Sequence, residues 1–201
     1  MRSLAILLLS ASAALANDIQ IVVEGGEASD GGVTYSDKGT ITIDLFEDIA
    51  PLAAARLEQL AQDGAYDGVA FHRVIDGFMA QTGDVSAGQV GADGTIGRMA
   101  GTGQSEYDDL PAEFTTERAF ERGVVGMARS ADPNSANSQF FIMFAPAPSL
   151  NGQYTIVGEV TEGMEVVDAI TRGRGQNGAV IDIADRMKSV TVIEDEAASD
   201  S

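Results

Sequence analysis

Between Val69 and Asp84 one permanently charged donor, Arg73, and one neutral amide, Gln81, stand among apolar residues broken by glycine at Gly77 and Gly83. A second segment, Ser138 to Phe144, repeats the mixture, with Gln139 beside Phe140, Phe141, Ile142, Met143 and Phe144. Arginine supplies a rigid fork of donors that stays charged, and glutamine supplies a dipole without a charge. Set beside Phe78, Met79, Phe141 and Leu150, these groups suit a ligand that is apolar, uncharged and rich in amide dipoles. Little else offers reactive chemistry. The chain has no cysteine, which excludes disulfides, thiolate metal sites and cysteine nucleophiles. Its one histidine, His72, is the sole candidate base for a hydrolase, and Ser138 has no nucleophile-elbow motif around it.

On pattern alone the same residues have plainer uses. Phe78, Met79 and Phe141 also suit a core, Arg73 a surface ion pair, and Gln81 and Gln139 polar caps on strands. Only their joint occurrence sets them apart. His72 invites a general-base role beside Arg73, but strand alternation turns it to the opposite face. A structural histidine with satisfied hydrogen bonds is expected there.

The elements that must carry these side chains read as follows. Ile19–Val23 is a first strand, and Ile41, Ile43 and Leu45 alternate with Thr40, Thr42 and Asp44 in a second. Gly25 through Asp37 is expected to be a loose polar hairpin loop. Pro51 opens a helix whose apolar stripe is Ala53, Leu57, Leu60 and Ala61, and Gly64 stops it. Further strands are expected at Val69–Ile75, Phe78–Thr82, Gly123–Arg129, Gln139–Phe144, Tyr154–Val160 and Ser189–Ile193, with a second helix at Met164–Thr171. Runs of strands with two isolated helices predict a mainly β domain: a closed antiparallel barrel capped by helices, rather than a βαβ sheet. The glycine-rich stretch from Gly88 to Gly103 lacks the Gly-Lys-Ser/Thr ending of a phosphate loop and is expected to be a surface loop.

With 201 residues the chain has room for one domain, expected at residues 17–193. Met1-Arg2, the apolar run Leu4–Leu9 and Ala14-Leu15-Ala16 resemble a secretory signal peptide over residues 1–16, cleaved before Asn17. Export, most simply to a bacterial periplasm, is the expectation, with no stable membrane insertion once the leader is removed. Residues 194–201 form an acidic tail with nothing to bury. The formal net charge of −19 excludes nucleic acid and anionic lipid as partners and favours a soluble monomer.

Phe71-His72-Arg73-Val74-Ile75, followed by Gly77-Phe78-Met79-Ala80-Gln81-Thr82-Gly83-Asp84, resembles the strand pair of the cyclophilins, the prolyl cis-trans isomerases inhibited by cyclosporin. Gly126-Met127-Ala128-Arg129, Asn137 through Ile142, and Leu150 through Gly158 follow in the family's order and at about its spacings. The resemblance runs from about Ile19 to Ile193. It implies an eight-stranded antiparallel barrel with two capping helices and a proline pocket on its outer face. By the same likeness Arg73 is the catalytic arginine, and Phe78, Met79, Phe141 and Leu150 form the proline pocket. Gln81, Ala128, Arg129 and Gln139 line the groove, and Tyr154 closes the pocket wall. Arg129 stands where the prototype has asparagine, Tyr154 where eukaryotic members have histidine, and Ser149 in place of a tryptophan important for cyclosporin. Tight drug binding is therefore not implied.

The expected partners are proline-containing, unfolded or partly folded polypeptides. Rotation about a peptide bond is opposed by about 18–20 kcal/mol of resonance, and at proline the uncatalysed exchange takes tens of seconds or more. No bond is made or broken, so neither nucleophile, cofactor nor metal is required. A non-catalytic module that holds proline-containing segments would use the same pocket without needing Arg73.

Overall fold

The computed structural model describes residues 17–194; the expected leader and the tail beyond Glu194 lie outside them. Eight strands form in chain order, β1 Asn17–Ser29, β2 Gly32–Leu45, β3 Arg73–Ile75, β4 Met79–Thr82, β5 Val124–Met127, β6 Phe140–Met143, β7 Ile156–Glu162 and β8 Arg186–Glu194. Helix α1 spans Pro51–Gln62 and α2 spans Met164–Asp168. All neighbours pair antiparallel, in the order β3-β4-β6-β5-β7-β2-β1-β8.

Among the described strands no continuous ladder closes the expected barrel. The end strands β3 and β8 share no ladder, and only Arg73–Ile75 of the expected Val69–Ile75 strand is regular. The chain just before β3 distributes its backbone groups instead of giving them to one partner. Gly68 N–H donates to Met187 O, Met187 N–H to Val69 O, Phe71 N–H to Asp185 O, Ala70 N–H to Gly88 O, and Val180 N–H to His72 O. Every buried amide needs a partner, and three separate segments supply them here. The seam between β3 and β8 is bridged rather than zipped.

Two further expectations change. Gly25–Asp37 is no loose loop but the distal half of the β1–β2 hairpin, paired from Gly25↔Ser36 to Ser29↔Gly32. A ribbon of two strands is marginal without support. Buried Glu24 gives it an anchor, accepting from Arg186 at 3.0 Å and pairing with Lys188 at 3.1 Å, while Arg186 lies 3.8 Å from the centre of the Tyr35 ring. Helix α2 ends at Asp168 rather than Thr171 because Thr171 N–H turns to the Asp185 carboxylate at 2.7 Å instead of a helix carbonyl. The backbone of Glu194, placed in the tail by sequence, pairs with Asn17 and belongs to β8.

Helix α1 starts where Pro51 predicts and buries Ala53, Leu57, Leu60 and Ala61 as expected, with Ala54 added. Ala50 cannot cap it, so Glu113 from a distant loop accepts from Leu52 N–H at 3.0 Å and Ala53 N–H at 2.9 Å.

Strand alternation then divides the apolar residues into two clusters. Val74, Ala80, Val125, Phe140 and Ile142 face the main core with Ile19, Ile41, Ile43 and Leu57. Their neighbours Met79, Val124, Phe141 and Met143 face the other way and gather with Phe46, Phe120, Ala147 and Ile156. Partly exposed Phe78, Leu150 and Tyr154 pack on that second cluster. Its open side is where a ligand can enter.

Candidate active site

One row across the sheet sets the geometry. Arg73 on β3 lies opposite Gln81 on β4, Gln81 opposite Phe141 on β6, and Phe141 opposite Gly126 on β5. These side chains share the outward face because residues directly opposite in a ladder point the same way. Gly126 is required by a close approach: a Cβ there would lie 2.6 Å from Phe141 Cζ and 2.7 Å from Phe120 Cε1. The bare backbone lets the Phe141 ring lie flat over β5, stacked on Phe120 with centroids 5.7 Å apart and edge-on to Tyr154 at 5.8 Å.

The result is a cavity of about 180 Å³ lined by Arg73, Phe78, Met79, Gln81, Ala128, Arg129, Phe141, Leu150 and Tyr154. Every residue expected at the site lines it except Gln139, which lines an adjoining cavity of about 250 Å³. Gln81, Ala128 and Arg129 form the boundary shared by the two. The core reading of Met79 and Phe141 was half right. Both are buried, at 2% and 5% exposure, yet each presents an edge to the slot.

The amides form a chain whose polarity is forced. Gly101 O and Gly103 O can only accept, so Gln139 turns its Nε2 to them, at 3.2 and 2.8 Å. Gln139 Oε1 then faces Gln81 Nε2 at 2.9 Å, which leaves Gln81 Oε1 to accept from Arg73 Nη1 at 3.1 Å. Arg73 Nε donates to Asn177 O at 3.0 Å. The guanidinium is thus held on two sides by neutral oxygens. No carboxylate lies within ion-pair distance of it among the described residues. The surface ion-pair reading of Arg73 is corrected on that ground. Burial lowers its pKa from a very high ordinary value, so the charge persists.

Several supporting residues were not legible in sequence. Asn177 holds a left-handed conformation at φ 56°, which aims its carbonyl at Arg73. Asparagine tolerates that region better than most residues, but nothing in the sequence links it to a strand a hundred residues earlier. The buried Asp84 carboxylate receives Ala87 N–H at 2.8 Å, Gly101 N–H at 2.7 Å and Gly103 N–H at 3.0 Å. The glycine-rich segment is a surface loop as expected, but one tied down so that its carbonyls orient Gln139. Tyr66, fully buried, donates to Ser138 O at 2.8 Å and fixes the backbone next to Gln139.

His72 is buried, at 5% exposure, and turned away from the slot as alternation requires. It is not the satisfied histidine expected. Neither ring nitrogen makes a hydrogen bond of ordinary geometry among the described residues, although the Ala70 backbone and the Gln139 side chain stand near enough to pull against the effect of burial. A Cβ on Gly101 would lie 2.9 Å from its Cδ2, so loop and ring are packed hard together. Burial pushes its pKa down to about 4, against the opposing pull of the Asp84 carboxylate. At neutral pH it is an uncharged ring behind the site.

The family model for cyclophilin-type peptidyl-prolyl cis-trans isomerases matches residues 32–193. The chain belongs to the cyclophilins. It is 57% identical over 143 residues to a probable peptidyl-prolyl cis-trans isomerase of Brucella suis biovar 1, covering 71% of this chain and 72% of that one. A peptidyl-prolyl cis-trans isomerase-like protein 1 of Aspergillus oryzae is 37% identical over 129 residues, 64% of this chain and 74% of its own. In fold the cyclophilin resembles a Cryptosporidium parvum cyclophilin-type isomerase, with a TM-score of 0.70, 24% identity, and coverage of 90% of this chain and 99% of the other. A structure of that protein in the presence of the dipeptide Ala-Pro matches at a TM-score of 0.69. This cyclophilin is therefore an enzyme of the peptidyl-prolyl cis-trans isomerase class.

Proposed function

We propose that this cyclophilin is exported, works as a monomer and speeds rotation about Xaa-Pro bonds while other exported chains fold. Arg73 is its catalytic residue. The observation that carries the reading is Arg73 held by Gln81 and Asn177 at the edge of an apolar slot, with no carboxylate paired to it among the described residues.

The chemistry follows from the geometry. Phe78, Met79, Phe141 and Leu150 take the proline ring into a dry pocket, and Tyr154 closes one wall. Twisting the amide breaks its resonance and returns a lone pair to the prolyl nitrogen. The Arg73 guanidinium uses one N–H on Asn177, one on Gln81 and one toward Met79 Sδ, so the two on Nη2 remain to meet that lone pair. Such a donor favours the twisted state over the planar one, which is the condition for raising the rate. Gln81, Gln139, Ala128 and Arg129 position the flanking peptide.

The test compares cis-to-trans exchange of an Ala-Pro peptide with wild type and with Arg73→Ala. The variant is expected to lose about 100-fold or more in kcat/KM while peptide Kd changes only a few-fold. A variant that keeps both rate and affinity would favour a binding module instead.

A further inference from the structure

The groove inverts the charge of the molecule that carries it. The chain has 31 acidic residues against 12 basic ones, yet neither cavity is lined by a single Asp or Glu. The only charged lining residues are Arg73 and Arg129, and of these two Arg129 is the one that lines both cavities. Elsewhere Arg118, Arg122, Arg172, Arg174 and Arg186 each hold a carboxylate. Arg129 holds none among the described residues. Its Nε and Nη2 donate to Gln153 O at 3.1 and 2.8 Å, and its Nη1 to Ser130 O at 2.9 Å. The guanidinium lies over the Tyr154 ring at 4.5 Å from the centroid. Asp132, the nearest carboxylate in sequence, is turned into its own loop, where it accepts from Asn134 N–H at 2.9 Å.

Arg129 is thus immobilised by carbonyls and an aromatic face, with its charge intact and one N–H left on each terminal nitrogen. A fixed fork of that kind matches a carboxylate, and its ordering cost has been met before the ligand arrives. We infer that Arg129 makes this cyclophilin selective for polypeptides with an Asp or Glu side chain within a few residues of the proline. The acidic side chain enters the 250 Å³ cavity while the ring occupies the smaller slot. The net charge of −19 repels such segments at long range. Screening over about 8 Å at physiological ionic strength leaves the choice to contacts inside the groove.

The inference rests on the isomerase reading, and its test separates the two. Peptides carrying Glu, Gln or Lys at each position within three residues of the proline are compared by exchange rate and by chemical-shift titration. At one position or more, Glu is expected to exceed Lys about fivefold in kcat/KM and in affinity, with Gln between and the ratio shrinking in 1 M salt. Arg129→Lys should keep that order, Arg129→Gln should bring the ratio near one, and Arg129→Glu should reverse it, whatever each does to absolute rate. Equal handling of Glu and Lys peptides by wild type overturns the inference, as does a ratio that survives in Arg129→Gln. Selective binding without turnover of any peptide would uphold it and defeat the isomerase reading.

Discussion

Arg73 and His72 are neighbours in sequence with opposite electrostatic fates. Arg73 sits half-exposed at the slot with a charge that does not titrate in any ordinary buffer, so turnover is expected to stay flat between about pH 6 and 9. A sigmoidal loss centred near pH 6.5 would instead make His72 a proton carrier. His72 affects stability rather than rate. Its folded pKa, near 4, lies below the unfolded value of 6.5, so the unfolded chain binds a proton first on acidification. The stability that its neutral form contributes is intact above pH 6.5 and lost as pH falls toward 4, a change of about 3 kcal/mol. Urea midpoints across that window should therefore fall more steeply in wild type than in His72→Gln, and equal slopes would show that the ring is not desolvated.

At the scale of elements, the site depends on one residue lacking a side chain. The Phe141 ring covers β5 only because Gly126 leaves it room, and Phe120 stacks behind it. Gly126→Ala must displace the Phe141 ring, the Phe120 ring or both, and Phe141 lines the slot. Since a displacement near 1 Å can cost a hundredfold when geometry sets the rate, a loss of at least about tenfold in kcat/KM is expected. The fold should survive, because both rings belong to the second apolar cluster rather than the main core. Near-normal activity in Gly126→Ala would mean that proline does not bind against Phe141. The loop from Gly88 to Gly103 plays the complementary part: Asp84 holds it, and its carbonyls set the direction of every amide up to Arg73.

At the scale of the molecule, an acidic exterior surrounds a cationic groove, and the seam between β3 and β8 joins distant parts of the chain. The same seam brings Asn177 under Arg73, since Ala179 bridges β3 and Val180 N–H bonds His72 O. The proposed export places this enzyme among clients that fold after leaving the cytoplasm. Protein recovered from the periplasmic fraction is expected to begin at Asn17, and an intact-mass measurement that retains Met1–Ala16 would rule out leader removal.

Period-two alternation made the strands legible and Pro51 the helix start, because these depend on neighbours in the chain. The grouping of Arg73, Gln81, Gln139 and Phe141 into one site was implied by the cyclophilin resemblance, since on pattern alone the same residues suit a core, a surface ion pair or strand caps. Alternation also explains why Phe140 and Phe141 face opposite ways. Less was legible wherever a group finds its partner far along the chain. The bridged seam, the short α2, the paired hairpin and the carbonyl of Asn177 all follow from amides and charges that meet only after folding. So do the His72 ring and the Arg129 charge, which find no well-formed hydrogen bond and no carboxylate partner, respectively, among the described residues. Local sequence determines which groups are offered; tertiary structure decides which are satisfied, because desolvation and hydrogen bonding depend on distance in space rather than in sequence.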